Sequence, residues 1–360
     1  MKKDKLTAFS FACLLSSPIF SLFSGVGSYN LIHIAGIDAW ISVLISFIFG
    51  IIPFLIFLYI FNYQPTLNIL EKNKYLFGKY LGTIFNLLIN IFIFFIGIVQ
   101  LFNISNFAIS QFLAETPILW FMILFGLLII YNVYTGIENI SRVAIIFLGV
   151  IIFMTIISTA GLAPTIDTSN LKPYLENGVI PPFKAGLILS ITNVTPIFIL
   201  LIVQKDKISE NQNLPKYFTF FYFLSYLFAF LAIFLCLSSL GIYLCKIYQY
   251  PEYTVLKKIS LFKFIERIEN FIYIKWILNS FIMLSLIIYH LSFSIKKESR
   301  KLIPTISTLL LIFFSSYIFK NNILFYFIGL HYFPIVCLAL FILYLIIGIN
   351  IFIRKRVRLF

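Results

Sequence analysis

The stretch Ser24-Gly25-Val26-Gly27-Ser28-Tyr29-Asn30 interrupts the first long apolar run of the chain with small and polar residues. Two glycines one residue apart weaken a helix, because glycine loses more backbone freedom on folding than any other residue and leaves its peptide groups bare. Inside lipid an unpaired N–H or C=O is costly, so such a break persists only where it faces protein, water or a ligand. One reading is therefore an unwound membrane helix beside a cavity. The other is that Gly25 and Gly27 let a neighbouring helix come close, as small residues do in membrane bundles.

A second interruption, Ser190-Ile191-Thr192-Asn193-Val194-Thr195-Pro196, falls in the sixth apolar run. Pro196 has no N–H and its ring clashes with the carbonyl four residues back, while Thr and Asn side chains can satisfy the groups so freed. Taken alone this is a proline kink. Paired with the first break, it points to inverted repeats, about 6–161 and 183–353, with a binding site between helices 1 and 6.

Composition sets the solvent. The chain has 360 residues, 61% apolar, 19% aromatic and 11% charged, whereas a water-soluble domain carries roughly a quarter charged residues. The mean hydropathy of +1.02 agrees. The fold class is an all-α integral membrane protein, since the apolar runs have helical and not barrel-strand length. The spacing predicts ten spans, at about 6–34, 39–62, 81–112, 117–137, 140–161, 183–204, 217–247, 271–295, 302–319 and 328–353, all within one transmembrane domain covering 1–360. The N-terminal run is too long for a signal-peptide core and reads as a retained first span.

The net charge of +14 does not indicate nucleic acid, because the basic residues are scattered through short loops. Most fall on the side of the N terminus, which places both termini in the cytoplasm. Trp40, Trp120 and Trp276 stand at the outer starts of spans, where indole rings favour the headgroup region. Residues 64–80 carry Leu70, Lys74 and Phe77 at helical spacing, as an interfacial helix does. The connection 162–182 is expected to cover the mouth of the bundle. The outer segment 249–269 has helical spacing with Lys257, Lys258, Lys263 and Arg267 on one face. It reads either as a solvated re-entry helix or, through Lys257 and Arg267, as a partner-docking surface.

The chemistry expected is that of binding. Cys13, Cys236, Cys245 and Cys337 lie apart in apolar runs, and His33, His290 and His331 fall on separate segments, so no metal site results. No nucleophile triad, nucleotide loop or carboxylate pair is present, so neither an enzyme nor a cofactor is indicated. Asn103, Asn106 and Ser110 share one helical face, and Asn279 and His290 share another. The 13 acidic residues all lie outside the middles of the spans. This pattern fits a neutral or zwitterionic small ligand held mainly by backbone, because the ends of half-helices attract a carboxylate at one terminus and an ammonium at the other.

Several motifs carry a family resemblance. They are Gly25-Val26-Gly27 followed by Ala35-Gly36-Ile37-Asp38-Ala39-Trp40, Leu76-Phe77-Gly78-Lys79-Tyr80-Leu81-Gly82, Gly136-Ile137-Glu138-Asn139-Ile140-Ser141-Arg142, Asn170-Leu171-Lys172-Pro173, and Tyr250-Pro251 with Glu266-Arg267-Ile268-Glu269. On these the chain resembles the B-subunit permeases of spore germinant receptors, the GerAB-like family of the amino acid, polyamine and organocation transporter superfamily. The resemblance implies a LeuT-type five-plus-five fold in the inner spore membrane, with helices 1 and 6 interrupted. It implies a germinant-sensing subunit that binds a small molecule, an amino acid being the best match, and partners in receptor A and C subunits besides membrane lipid. Carried over by position, the pocket is Gly25, Val26 and Gly27 with Thr192, Asn193 and Thr195, flanked by Asn103 and Asn106. An active amino acid permease is the alternative, and a purely structural or channel-forming subunit a third reading.

Overall fold

Eight helical stretches among the described residues are long and apolar enough to cross a membrane. The structure is a computed structural model, and it describes residues 6–258, 269–293 and 302–357. The first stretch, Ala8–Asn62, has 55 residues. At 1.5 Å per residue it would run about 80 Å as one helix, against a hydrocarbon core of about 30 Å. It is broken instead at Gly25 and again at Gly36, where φ is +62°.

In chain order, β1 (Leu6–Thr7) leads into α1 (Ala8–Cys13), α2 (Ser16–Leu22), an irregular turn at Phe23–Gly27, and α3 (Ser28–Ala35). There follow α4 (Ala39–Asn62), α5 (Ile69–Gln111), α6 (Ile118–Thr135) and α7 (Ile137–Leu162). The second half holds α8 (Ile180–Val194), continued by a 3-10 helix over Thr195–Ile202, then β2 (Ile208–Ser209), α9 (Leu214–Ile247), α10 (Pro251–Leu256), α11 (Asn270–Ser292), α12 (Ile303–Ile318), α13 (Asn322–His331) and α14 (Phe333–Val357). Eight stretches have spanning length where ten spans were expected: Ala8–Asn62 covers the first two expected spans, and the span expected at 302–319 falls on the shorter apolar helix α12.

Local chemistry explains the punctuation. The expected interfacial helix begins at Asn68, whose side chain accepts from the Glu71 N–H at 3.0 Å while Glu71 accepts from the Asn68 N–H at 2.9 Å. This reciprocal cap starts α5, which then bends at Gly78, where φ is +79°. Helix 6 is interrupted more mildly than helix 1. Pro196, lacking a donor, sits at the start of the 3-10 segment, and the chain tightens there without unwinding.

The helix 1 and helix 6 segments occupy the centre. In Ile180–Ile202, 83% of the most apolar window is buried, against 28% in Ile137–Thr165. Helix α4 packs along α8, α11 along α2, α5 and α7, and α14 along α4, α5 and α8. The outward faces present Ile48, Leu55, Leu124, Leu127, Ile146 and Phe153, an apolar surface suited to lipid. Across the bundle end formed by 162–182, Asn170 donates to the Ser238 carbonyl at 2.8 Å and the Leu175 N–H donates to Asp38 at 3.0 Å. That connection therefore covers the helix ends, as its composition suggested. All four cysteines are buried and free.

The cap at Asn68 is testable. Asn68→Ala removes one side of the reciprocal pair and is expected to cost about 1 kcal/mol, read as a lower Tm of the detergent-purified chain. Asn68→Asp, which keeps the acceptor, is expected to leave Tm near wild type.

Candidate functional site at the break in helix 1

Helix 1 comes apart at two residues. Ser24 is extended (φ −67°, ψ 132°) and Gly25 has φ +78°, ψ −94°, a conformation that side-chain-bearing residues rarely adopt. The groups freed there are taken up by side chains from elsewhere. Asn103 Nδ2 of α5 donates to the Ser24 carbonyl at 3.0 Å, Ser28 Oγ to the Gly25 carbonyl at 3.2 Å, and Trp276 Nε1 of α11 to the Ser21 carbonyl at 3.2 Å. Trp276 is 2% exposed and lies over the break. A Cβ on Gly25 would fall 2.6 Å from its ring and 2.7 Å from Asn103 Oδ1. Trp276 is therefore not in the headgroup region where its position in the sequence placed it. A Cβ on Gly27 would sit 2.8 Å from the Leu22 carbonyl, so this position also admits only glycine without a shift of backbone.

Around the tryptophan stands an aromatic cluster. Phe107 packs on Trp276 at 4.6 Å, on Tyr250 at 4.7 Å and on Tyr253 at 5.7 Å between ring centroids. Tyr250 and Tyr253 belong to the outer segment, whose first turn is thus sunk into the bundle and is not the solvated helix of the first reading. Asn106, one turn beyond Asn103, donates to the Tyr250 hydroxyl at 2.8 Å and ties α5 to this segment.

The same turn brings in Glu252, 7% exposed. Its carboxyl meets the Ser28 side chain and the Gly25 backbone at the break, and burial raises it above its ordinary pKa against the pull of those contacts. An acidic group thus stands at the break although none lies in the middle of a span. Glu252 lies in a connection by sequence, and the fold returns that connection to the centre. Lys275, one turn into α11, is 5% exposed and was likewise missed. Its signal was available, since a lysine inside an apolar span is kept there for a reason.

On the side of helix 6, Val26, Gly27 and Thr192 line a small cavity of about 10 Å³ together with Asn30. Thr192 Oγ1 donates to the Ile188 carbonyl at 3.0 Å. Asn193 Oδ1 stands 3.7 Å from the Cβ position of Gly27. Both amide atoms of Asn193 and the Thr195 hydroxyl are buried without a hydrogen-bond partner among the described residues. The structure thus joins Gly25 with Asn103, and Val26 and Gly27 with Thr192 and Asn193, as two faces of one break. Of the other polar candidates, Asn279 bonds within its own helix to the Lys275 carbonyl, and His290 is buried with Nδ1 at 3.2 Å from the Ile199 carbonyl. Among the suggested docking residues, Lys257 is exposed, its Nζ 4.5 Å from the Tyr253 ring centroid; Arg267 lies outside the described residues.

These features define a multi-pass membrane protein of the LeuT type, with its first helix unwound at the centre of the bundle. A solved Na+-coupled sialic acid symporter, in a substrate-bound outward-open state, has the same fold, with a TM-score of 0.59 at 13% identity over 93% of this chain and 78% of the other. The family model described as spore germination protein, a spore permease family, matches residues 17–323, and the chain belongs to that family. Spore germination protein KB of Bacillus subtilis (strain 168) is 26% identical over 71% of this chain and 69% of its own length. Spore germination protein XB of Bacillus anthracis is 22% identical over 89% and 90%.

Gly25→Ala is expected to cost on the order of 1–3 kcal/mol from backbone strain alone, with the clash against Trp276 added. In Tm measurements, combining it with Trp276→Phe should recover part of the loss, because the smaller ring vacates the space. Strict additivity of the two substitutions would show that the ring does not close the break.

Proposed function

We propose that this chain is the germinant-sensing membrane subunit of a spore germination receptor, seated in the inner spore membrane with both termini in the cytoplasm. The whole chain acts as one permease-like unit of two repeats, about 6–161 and 183–353. Its ligand is a small neutral or zwitterionic molecule, an amino acid being the best match, bound between helices 1 and 6. Gly25, Val26 and Gly27 supply backbone, Thr192, Asn193 and Thr195 supply polar side chains, and Asn103 and Asn106 flank them.

The observation that carries this reading is the set of unused hydrogen-bonding groups beside the break. Asn193 and Thr195 are fully buried, and among the described residues their side chains are unpaired; a buried polar group without a partner is costly unless something else serves it. A ligand that pairs them in one arrangement of helices 1 and 6, and not in another, shifts the balance between the two. Receptor A and C subunits then read that shift, with Lys257 and Arg267 on the docking surface. Membership of the spore germination family supports the setting.

Dipicolinate release from spores lacking the gene, over a panel of small amino acids, tests the role. Loss of response to one amino acid, restored by the intact gene, is the expected result. A response unchanged for every ligand overturns the receptor reading and directs attention to solute uptake in vesicles. Asn193→Ala is expected to raise the amino acid concentration for half-maximal release at least tenfold in spores that retain the protein in the membrane. Lys257→Glu is expected to reduce co-purification of the A subunit.

A further inference from the structure

The face of the break turned away from helix 6 opens on a larger cavity, about 50 Å³, walled by α2, α7, α9, α10 and α11. By the space one water needs, this admits roughly four waters, near the volume of a glycine or alanine. Two of the lining side chains are charged and opposite in sign, Glu252 and Lys275. Both are more than nine-tenths buried, at 7% and 5% exposure. Among the described residues Glu252 Oε1 has no hydrogen-bond partner, and the Lys275 ammonium has neither an ion pair nor a hydrogen bond. The two face one cavity without pairing with each other.

A desolvated charge without a partner of opposite sign is held at a penalty. A molecule carrying an ammonium at one end and a carboxylate at the other relieves both. The hydroxyls nearby suit the cationic end. Thr155 and Ser158 already spend their protons on the carbonyls of Ile151 and Met154, at 2.7 Å each. What they present to the cavity is acceptor lone pairs. The rest of the wall is apolar, including Phe20, Phe228 and Leu256, as a small-molecule site requires around a few oriented polar groups.

We infer that this cavity is a second binding site, distinct from the one between helices 1 and 6, for a small zwitterion whose ammonium is held by Glu252 and whose carboxylate is held by Lys275. Ser24 lines the cavity and Glu252 touches the Gly25 backbone, so an occupant bears directly on the conformation of the break. The inference concerns binding and stands apart from the germinant-sensing role.

Equilibrium binding of each of the twenty standard L-amino acids, tritium-labelled, to the purified full chain in lipid nanodiscs tests it. At least one small amino acid is expected to bind, and Glu252→Gln and Lys275→Met are each expected to weaken it at least tenfold. The readout that a structural role would not move is the charge preference. In competition assays, Lys275→Met should abolish the advantage of the amino acid over its decarboxylated amine, and Glu252→Gln its advantage over the deaminated acid. Should either variant fail to purify as a monodisperse protein, Glu252→Asp and Lys275→Arg are used and are expected to keep both preferences. Binding by none of the twenty, wild-type affinity in the variants, loss of affinity with preferences intact, or loss of the preferences in the charge-keeping pair would each overturn the site. Spores that lose their response on gene deletion while both charge variants bind normally would sink this site alone. Spores that respond normally while the charge preferences behave as expected would sink only the receptor role.

Discussion

An unwound turn in the middle of a membrane bundle must find partners for its freed backbone within the protein, and the rest of this structure is arranged around that constraint. The carbonyls of Ser21, Ser24 and Gly25 are each served by a side chain, from Trp276, Asn103 and Ser28 respectively. Two of these donors come from other helices, α5 and α11. The break is therefore a meeting point of elements distant in sequence, and any movement of one of them unpairs backbone in an apolar medium.

The two faces of the break differ in character. Toward helix 6 the groups are neutral and tightly packed, with a cavity of about 10 Å³. Toward α7 and α9 the space is larger and charged. Helix 6 answers the unwinding of helix 1 with a 3-10 segment whose residues are all buried. Thr195 stands at the start of that segment with a hydroxyl that is unpaired among the described residues. The broken helix and the tightened one thus form an asymmetric pair, one permissive in its backbone and the other wound more tightly.

Much of this was legible in the residues. The break at Gly25, Pro196, a helix starting within 64–80 and the covering connection at 162–182 all follow from backbone chemistry that acts locally. Asn103 was legible through helical periodicity, since its face of α5 points inward. Glu252, Tyr250 and Tyr253 were not, because they belong to a connection, and only tertiary packing decides that Pro251–Leu256 is sunk among the helices. Trp276 misled for a related reason. An indole near the start of a span suits the headgroups, but here its N–H finds a better partner in a carbonyl released by helix 1. A residue whose role is to satisfy another element's broken backbone leaves no periodic trace of its own.

At the far end of helix 1, β1 pairs in parallel with β2, Leu6 against Ile208 and Thr7 against Ser209. The second strand lies just beyond the 3-10 end of helix 6. Helices 1 and 6 are thereby yoked at one tip while remaining separately deformable at their middles. A linkage fastened at one end and hinged at its centre behaves as a pair of calipers: opening at the hinge is converted into a change of angle at the fastened tip. The strand pair therefore holds the start of helix 1 and the chain just beyond helix 6 in one register.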